Sequence, residues 1–235
     1  MEECIHRQTI ERFLCSTGLQ KTKIKYKFHF VQQAPYDCGP ACCWMILKWA
    51  NRLFMNDDYD YNDFLQSIGT NIENGIWTIE LVKVLKDYSF RCVFCTTNIN
   101  PSSSQYDSLA FYRNDDLGTE LLRVNNLFNS VSCDYVHIFN GKVTLDTIRD
   151  FLLFNSNGVI LLLTDYAVLY PSRRCCIIRE FSGHYIVLLG YNPHRKAFKV
   201  ADPMRYFHHY IRDTVIEAAR SADGTDNDIV FLNLE

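Results

Sequence analysis

Several features that would assign the chain to a membrane, export or nucleic-acid class are missing from its 235 residues. The longest apolar run, GVILLL at Gly158–Leu163, is far shorter than the roughly 20 residues of a membrane-spanning helix. The N-terminal MEECIHRQTIERFL carries acids where a signal peptide carries bases, and it contains no apolar segment. A net charge of −3 supplies no basic field for nucleic acid or anionic lipid. We therefore expect a soluble protein that is cytoplasmic, with a nuclear location as the alternative, and that has no nucleic-acid partner and no membrane partner.

Linkers and repeats are also missing, since no glycine–serine stretch divides the sequence and no segment recurs. Apolar residues make up 48% of the chain and aromatic residues 14%, which is enough for a substantial core. We therefore predict a single domain over residues 1–235. The composition does not predict an oligomeric state.

Ten cysteines are present, but their irregular spacing does not supply the two spaced pairs of a structural zinc site. CVFC at Cys92–Cys95 offers one half of such a site, and the adjacent Cys175 and Cys176 would bind the same tetrahedral ion poorly. Reduced cysteines in a protein that is not exported usually serve as small buried apolar groups. We therefore expect Cys92 and Cys95 to lie in a strand, and we predict neither a metal nor another cofactor.

Helical patterns dominate the first two thirds of the chain, for example PACCWMILKWAN at Pro40–Asn51 and a helix capped by Thr144 that runs to Asn155. Strand patterns such as GVILLLTD, HYIVLLGYN and DIVFLNL lie mostly in the last third. An additional strand at Lys21–Phe30 alternates lysine with apolar residues, which is typical of a protected sheet edge. Helices first and strands later predict an α+β fold.

The most informative stretch is FHFVQQAPYDCGPACCW, in which an extended run gives way to a helix at Cys38. A cysteine at a helix start faces unpaired backbone N–H groups and the positive end of the dipole, and both favour the thiolate form. Gln32 precedes it by six residues, so that its amide and a backbone N–H can form an oxyanion hole; the neighbouring Gln33 is an alternative. The competing interpretation is a buried structural cysteine.

A thiolate nucleophile needs a base, and among the seven histidines His184 is the one that follows a glycine at the head of a strand pattern. The turn NPHRK joins this strand to AFKVADP, which predicts a hairpin that pairs Leu188 with Phe198 and His184 with Asp202. Asp202 would then orient the imidazole, as the acid does in acyl-transfer triads. The alternatives are a core histidine and an aspartate that only starts an Asp-Pro turn.

The segments QQAPYDCGPACCWMIL and GHYIVLLGYN resemble the papain-like superfamily, in particular the bacteriocin-processing peptidases that cut after a double glycine. With GIWTIEL at Gly75–Leu81, RVNNLF at Arg123–Phe128 and DGTDNDIVFLNL at Asp223–Leu234, nearly the whole chain resembles the guanylyl cyclase domain-containing proteins. The resemblance implies a papain-like fold, in which N-terminal helices pack on a C-terminal antiparallel sheet and the nucleophile starts one of the helices.

The same resemblance implies a role for each candidate residue. Cys38 corresponds to the nucleophile, His184 to the base, Asp202 to the orienting acid and Gln32 to the oxyanion donor. These roles favour a papain-like hydrolase or acyl transferase that attacks a peptide, isopeptide or thioester carbonyl of a peptide or acylated protein.

Two alternatives belong to other classes. The family name implies conversion of GTP to cyclic GMP, but neither G-x-x-x-x-G-K-[ST] nor G-x-G-x-x-G occurs in the chain. Asp226 and Asp228 can bind a cation, although such a run is more typical of solvated turn acids. A scaffold that keeps the fold without turnover is the second alternative.

Overall fold

The computed structural model describes residues 5–14, 28–52, 59–69, 75–106, 109, 112, 117–131, 134–171 and 180–234. Within these ranges it contains nine helices and seven strands. The helices are α1 (Arg7–Leu14), α2 (Cys38–Trp49), α3 (Tyr61–Ile68), α4 (Thr78–Asp87), α5 (Ser103–Tyr106), α6 (Leu117–Val131), α7 (Leu145–Phe154), α8 (Tyr166–Leu169) and α9 (Asp213–Arg220). The strands are β1 (Cys92–Thr96), β2 (Val136–Asn140), β3 (Gly158–Asp165), β4 (Gly183–Asn192), β5 (Ala197–Ala201), β6 (His209–Arg212) and β7 (Ile229–Asn233).

The strands form one mixed sheet in the order β2-β1-β7-β3-β4-β5-β6. β1 and β2 are parallel, with α6 between them in the chain, because parallel neighbours need a long crossover. The remaining pairs are antiparallel. The α+β prediction is therefore confirmed. The predicted C-terminal antiparallel sheet is extended by two strands from the middle of the chain, which make it mixed.

Alternating side chains give the sheet two apolar faces. On β3, Val159, Leu161 and Leu163 pack in one cluster with α2 and α4, whereas Ile160 and Leu162 pack in a second cluster with α1, α7 and α9. Every residue of β3 is buried, as expected for a central strand that is covered on both faces. Helices therefore flank the sheet on both sides.

Two helix starts differ in how they are capped. Thr144 caps α7, as predicted, by accepting a hydrogen bond at 3.1 Å from the N–H three residues later. Thr78, by contrast, is the first residue of α4, and the residue before it is the N-cap. The backbone N–H of Trp77 donates to the Glu80 carboxylate at 2.9 Å. The Thr78 hydroxyl is thus available to bond the Tyr185 hydroxyl at 2.9 Å, which ties α4 to β4.

The predicted hairpin is present as β4 and β5, but its register is different. Leu188 pairs with Val200 rather than with Phe198, because the turn is centred later than predicted and a bulge follows Leu188. Asp202 is therefore displaced by two positions from the predicted pairing with His184. Residues that are diagonal across a pair of strands still share a face, so contact between the two side chains is preserved.

The remaining sequence predictions have different outcomes. Residues 21–27 of the predicted lysine edge strand, as well as Cys175 and Cys176, lie outside the described residues. Cys92 and Cys95 are buried free thiols in β1, as predicted. Among the described residues, no helix has the length and apolar character needed to cross a membrane. The cytoplasmic or nuclear location stays a prediction.

Candidate functional site

The helix that carries Cys38 begins where Asp37 closes a turn. Asp37 is 1% exposed and accepts hydrogen bonds from the backbone N–H groups of Gln33 at 3.0 Å and Ala34 at 3.2 Å, and from the Tyr61 hydroxyl at 3.1 Å. Cys38 follows directly as the first residue of α2. The sulfur is thus attached at the positive end of the helix dipole, as the sequence predicted.

The helix start also requires a glycine. A Cβ added to Gly39 would lie 2.8 Å from Cγ2 of Ile76 and 2.9 Å from Cδ1 of Leu81. The missing side chain therefore lets the first turn of α2 lie directly against the segment that leads into α4. This close approach forms one wall of the site.

Cys38, His184 and Asp202 meet although they come from three separate segments. Nε2 of His184 lies 2.8 Å from Oδ1 of Asp202, and both side chains are buried. Asp202 also accepts hydrogen bonds from the Tyr170 hydroxyl at 2.5 Å and the Met204 backbone N–H at 2.8 Å. Burial would raise the pKa of Asp202, but the hydrogen bonds from His184 and Tyr170 hold it below its ordinary value. The carboxylate therefore stays charged beside the ring.

The imidazole is held in its charged form. Burial would lower the pKa of His184, but the hydrogen bonds and charges of Asp202 and Cys38 outweigh burial and raise this pKa to about 9. Since Nε2 is occupied by Asp202, Nδ1 is the nitrogen that remains for the sulfur. The ring of Tyr166 packs edge-on against His184, with 5.4 Å between the centroids. At neutral pH a cationic ring thus lies between the Asp202 carboxylate and the Cys38 sulfur.

A cleft that is partly open to solvent lies in front of Cys38. Cys38 lines this cleft, whereas His184 and Asp202 are buried behind it, at 3% and 0% exposure. Trp77 and Glu120 also line the cleft, and the indole N–H of Trp77 donates to Glu120 at 2.9 Å. A molecule in the cleft would therefore contact the Cys38 sulfur. His184 would affect that molecule only through Cys38.

Gln32 is tied to the loop that precedes α2. Its amide nitrogen donates to the carbonyl oxygens of Ala34 at 2.7 Å and Pro35 at 3.3 Å, and its backbone N–H donates to Pro203 at 2.9 Å. These contacts link the loop to the segment that carries Asp202. The oxyanion role of Gln32 stays a prediction, as does the alternative at the adjacent position.

Asp226 and Asp228 also line the cleft, where the sequence had suggested solvated turn acids. Asp228 is only 7% exposed, and burial together with the charge of Asp226 raises its pKa to about 8. Asp226 and Asn227 have φ of 49° and 53°, so the chain folds back before it enters β7. One feature of the sequence indicates that Asp228 is buried. It directly precedes the apolar run IVFLNL, and a residue next to a central strand is seldom exposed to solvent.

Two comparisons bear on the function of this site. A sequence model of the family described as guanylylate cyclase matches residues 28–232. A protein of Arabidopsis thaliana named guanylyl cyclase 1 is 29% identical over 223 residues, which cover 88% of this chain and 75% of that protein.

The preferred sequence interpretation, a papain-like hydrolase or acyl transferase, is wrong. Both comparisons name the guanylyl cyclase function that had been the alternative. The error has a physical source, because a cysteine, a histidine and an aspartate in contact define an acid–base unit but no substrate. The interpretation also took Asp226 and Asp228 for solvated residues, although they contribute two carboxylates to the cleft.

Proposed function

The chain belongs to the family of guanylylate cyclases, and from that premise we propose that it converts GTP into cyclic GMP and pyrophosphate. In this reaction the ribose 3′-oxygen bonds to the α-phosphorus, and the bond from that phosphorus to the α,β-bridging oxygen breaks. The 3′-hydroxyl proton goes to a base, and pyrophosphate leaves. The observation that carries the proposal is the family match, since its range contains every residue that lines the cleft.

Cys38 is the acid–base group that we assign to the cleft. Its sulfur, beside the cationic ring of His184, would accept the 3′-hydroxyl proton, since cysteine is among the groups that act as general bases. His184 and Asp202 do not line the cleft, so we assign them as positioning residues that act through the sulfur. Support comes from the contact of His184 with both other residues and from its raised pKa.

The walls of the cleft suit a guanine nucleotide. Tyr36, which is 50% exposed, and Trp77 offer aromatic faces for a purine, and base–aromatic stacking contributes about 1–3 kcal/mol. Guanine presents two adjacent donors, N1–H and the 2-amino group, and a carboxylate accepts from both. Glu120 is the carboxylate in the cleft wall nearest to the indole of Trp77, which donates to it. We assign Glu120 to the guanine edge.

We extend the proposal to the architecture. The chain forms a single domain with a papain-like arrangement, in which a helix with cysteine at its start packs on strands that carry the histidine and the aspartate. Support comes from the contact between α2 and β4, where the Cys42 thiol donates to the Tyr185 carbonyl at 3.4 Å, and from one sheet that unites residues 92–233.

The test measures cyclic GMP and pyrophosphate by mass spectrometry when purified protein is incubated with GTP and Mg²⁺ or Mn²⁺. We expect both products in equal amounts, and a loss of about 100-fold in rate for Cys38→Ala, the usual scale for removal of an acid–base group. Cys42→Ala is the matched control, since Cys42 lies one turn along α2, is fully buried and does not line the cleft. If the wild type forms no cyclic GMP with either cation, the proposed function fails. Equal rates for the wild type and Cys38→Ala would remove Cys38 from the mechanism.

A further inference from the structure

Asp202 receives hydrogen bonds on both carboxylate oxygens, and His184 uses only one of them. Oδ2 of Asp202 lies 2.5 Å from the Tyr170 hydroxyl, and this hydroxyl lies 2.8 Å from Nε2 of His209. His184 bonds the other oxygen, Oδ1, and also contacts Cys38. Neither Tyr170 nor His209 is among the described residues that line the cleft. One hydrogen-bond chain therefore runs from His209 through Tyr170 and Asp202 to His184, which lies beside Cys38.

The direction of each hydrogen bond in this chain can be assigned. Burial, and then the hydrogen bond to Asp202, raise the pKa of Tyr170, so the phenol keeps its proton at neutral pH. A carboxylate can only accept, so the phenol donates this proton to Asp202. The phenol oxygen then accepts from Nε2–H of His209. Both donors thus point toward Asp202.

His209 fixes the direction in which the Tyr170 hydroxyl donates. Burial lowers the pKa of His209, so the ring is mostly neutral at neutral pH and carries one proton. The bond to Tyr170 requires that proton on Nε2. A hydroxyl can rotate to suit its partners, but here an N–H already points at one side of the phenol oxygen. The phenol hydrogen is therefore directed to Asp202.

The Tyr170 ring is held from both the loop after β5 and α8. The Arg205 guanidinium lies 4.3 Å from the centroid of this ring, and the Tyr166 ring lies 5.3 Å from it, centroid to centroid. The backbone N–H of Arg205 donates to the Asp202 carbonyl at 2.9 Å, which fixes the loop relative to the carboxylate. The other charged or titratable groups that face the chain are Cys38 and Cys42 of α2, Tyr166, Arg205, and the histidines His29 and His208.

We propose that Tyr170 is a positioning residue of the Cys38 site, and that His209 sets the direction of its hydrogen bond. The Tyr170 hydroxyl stabilises the buried Asp202 carboxylate in its charged form, and the carboxylate holds the proton on His184 beside Cys38. An effect of Tyr170 on turnover rests on the proposed function. Its effect on Asp202 rests only on the hydrogen bonds.

The experiment follows the side-chain carboxyl carbon of Asp202 by carbon NMR during acid titration of protein with isotope-labelled aspartate. Asp202→Asn assigns the signal. We expect Tyr170→Phe to raise the pKa of Asp202 by about 1–2 pH units, because it removes one hydrogen bond to a charged group and keeps the ring. Tyr166→Phe is the matched control. Its ring packs on those of Tyr170 and His184, but its hydroxyl is not among the described donors to Asp202, so this pKa should not change.

A wild-type carboxyl that stays charged until acid unfolding, beside a variant carboxyl that titrates above that pH, would equally support the proposal. Equal behaviour of Asp202 in the wild type and in Tyr170→Phe, including no titration in either before unfolding, would overturn it.

His209 is tested by a pair of variants. His209→Gln keeps an N–H donor near the position of Nε2, whereas His209→Met has a similar length and no donor. We expect His209→Met to raise the pKa of Asp202 by less than Tyr170→Phe does, and His209→Gln to keep it near the wild-type value. Wild-type titration in His209→Met, or the same rise in both variants, would overturn the role of His209.

The pH profile of turnover connects the chain to the reaction. In the cyclic GMP assay, the acid limb of the profile should move to higher pH in Tyr170→Phe by the same amount as the pKa of Asp202. A purely structural defect would lower the rate at every pH and leave the limb in place. That result, beside a raised pKa of Asp202, would refute the positioning role in turnover. If the wild type forms no cyclic GMP, the proposed function fails, and the carboxyl titration still decides whether Tyr170 supports Asp202.

Discussion

Replacing Asp202 by asparagine should remove much of the pH dependence of stability that His184 provides. The rise of the His184 pKa from 6.5 to about 9 corresponds to about 3 kcal/mol in favour of the folded state, at about 1.4 kcal/mol for each pH unit. The folded protein binds this proton more tightly than the unfolded chain does. The contribution is therefore complete below pH 6.5 and is lost as the pH rises through about 9. Asparagine keeps the shape of the side chain but removes the charge.

The charged and titratable groups around the ring are few. Cys38 and Asp202 contact His184 directly, Tyr166 packs on its face, and Tyr170 reaches it through Asp202. Other buried acids and thiols also respond to pH, but they are present in the wild type and in the variant, so they cancel in the difference. Because Cys38 also raises the pKa of His184, Asp202→Asn should remove only part of the roughly 3 kcal/mol.

Urea unfolding at a series of pH values measures this difference, provided that the dependence on denaturant stays the same. We expect the wild type to lose more free energy of unfolding than Asp202→Asn between pH 6.5 and about 9. Asp150→Asn, a change of the same type at an exposed position of α7, should follow the wild type. If the wild type and Asp202→Asn lose stability in parallel, Asp202 does not hold His184 in its charged form, and the positioning role fails.

Two further predictions concern the start of α2. Gly39→Ala forces a Cβ to within 2.9 Å of neighbouring side chains and should lower the free energy of unfolding by about 1–3 kcal/mol. Gly118→Ala is the control, because a Cβ at that helical position meets nothing within 4 Å, and it should not destabilise the protein. Equal effects of the two variants in urea unfolding would contradict the close approach at Gly39. Asp37→Ala leaves two backbone N–H groups without their acceptor and takes the carboxylate from the Tyr61 hydroxyl, which keeps only the Asp37 carbonyl at 3.4 Å. This change should cost about 2–4 kcal/mol in the same assay, against about 1 kcal/mol for Tyr61→Phe. A cost for Asp37→Ala no larger than that for Tyr61→Phe would show that the turn does not depend on the carboxylate.

Local chemistry made several parts of this structure predictable. The change from an extended run to a helix at Cys38, the cap at Thr144 and the hairpin after His184 all depend on residues close together in the chain. The hairpin register was not predictable, because the bulge after Leu188 depends on packing against the rest of the sheet. The insertion of β1 and β2 beside β7 was missed for a similar reason, since it joins strands that are far apart in sequence.

The family's function was harder to predict than the fold. Residue types and spacing pointed to Cys38 and His184, but these residues define a proton-transfer unit that serves many reactions. The groups that the proposed function assigns to the nucleotide include Trp77 and Glu120, which come from the N-cap of α4 and from α6. No short motif contains them, so only the folded chain brings them into view.

The direction of the strands explains why these groups meet. β1, β3 and β5 end at the edge of the sheet where β4 and β7 begin, because antiparallel neighbours reverse direction. His184 is the second residue of β4, Asp202 follows β5, and Asp228 precedes β7, so all three lie along one edge. α2 and α4 contribute their first residues, Cys38 and Thr78, to the same edge from one face of the sheet. Each reactive group is thus attached at the end of an element whose body is buried. In a sheet of this kind, polar residues that directly adjoin buried strands are the ones to examine for function, whether or not they form a motif.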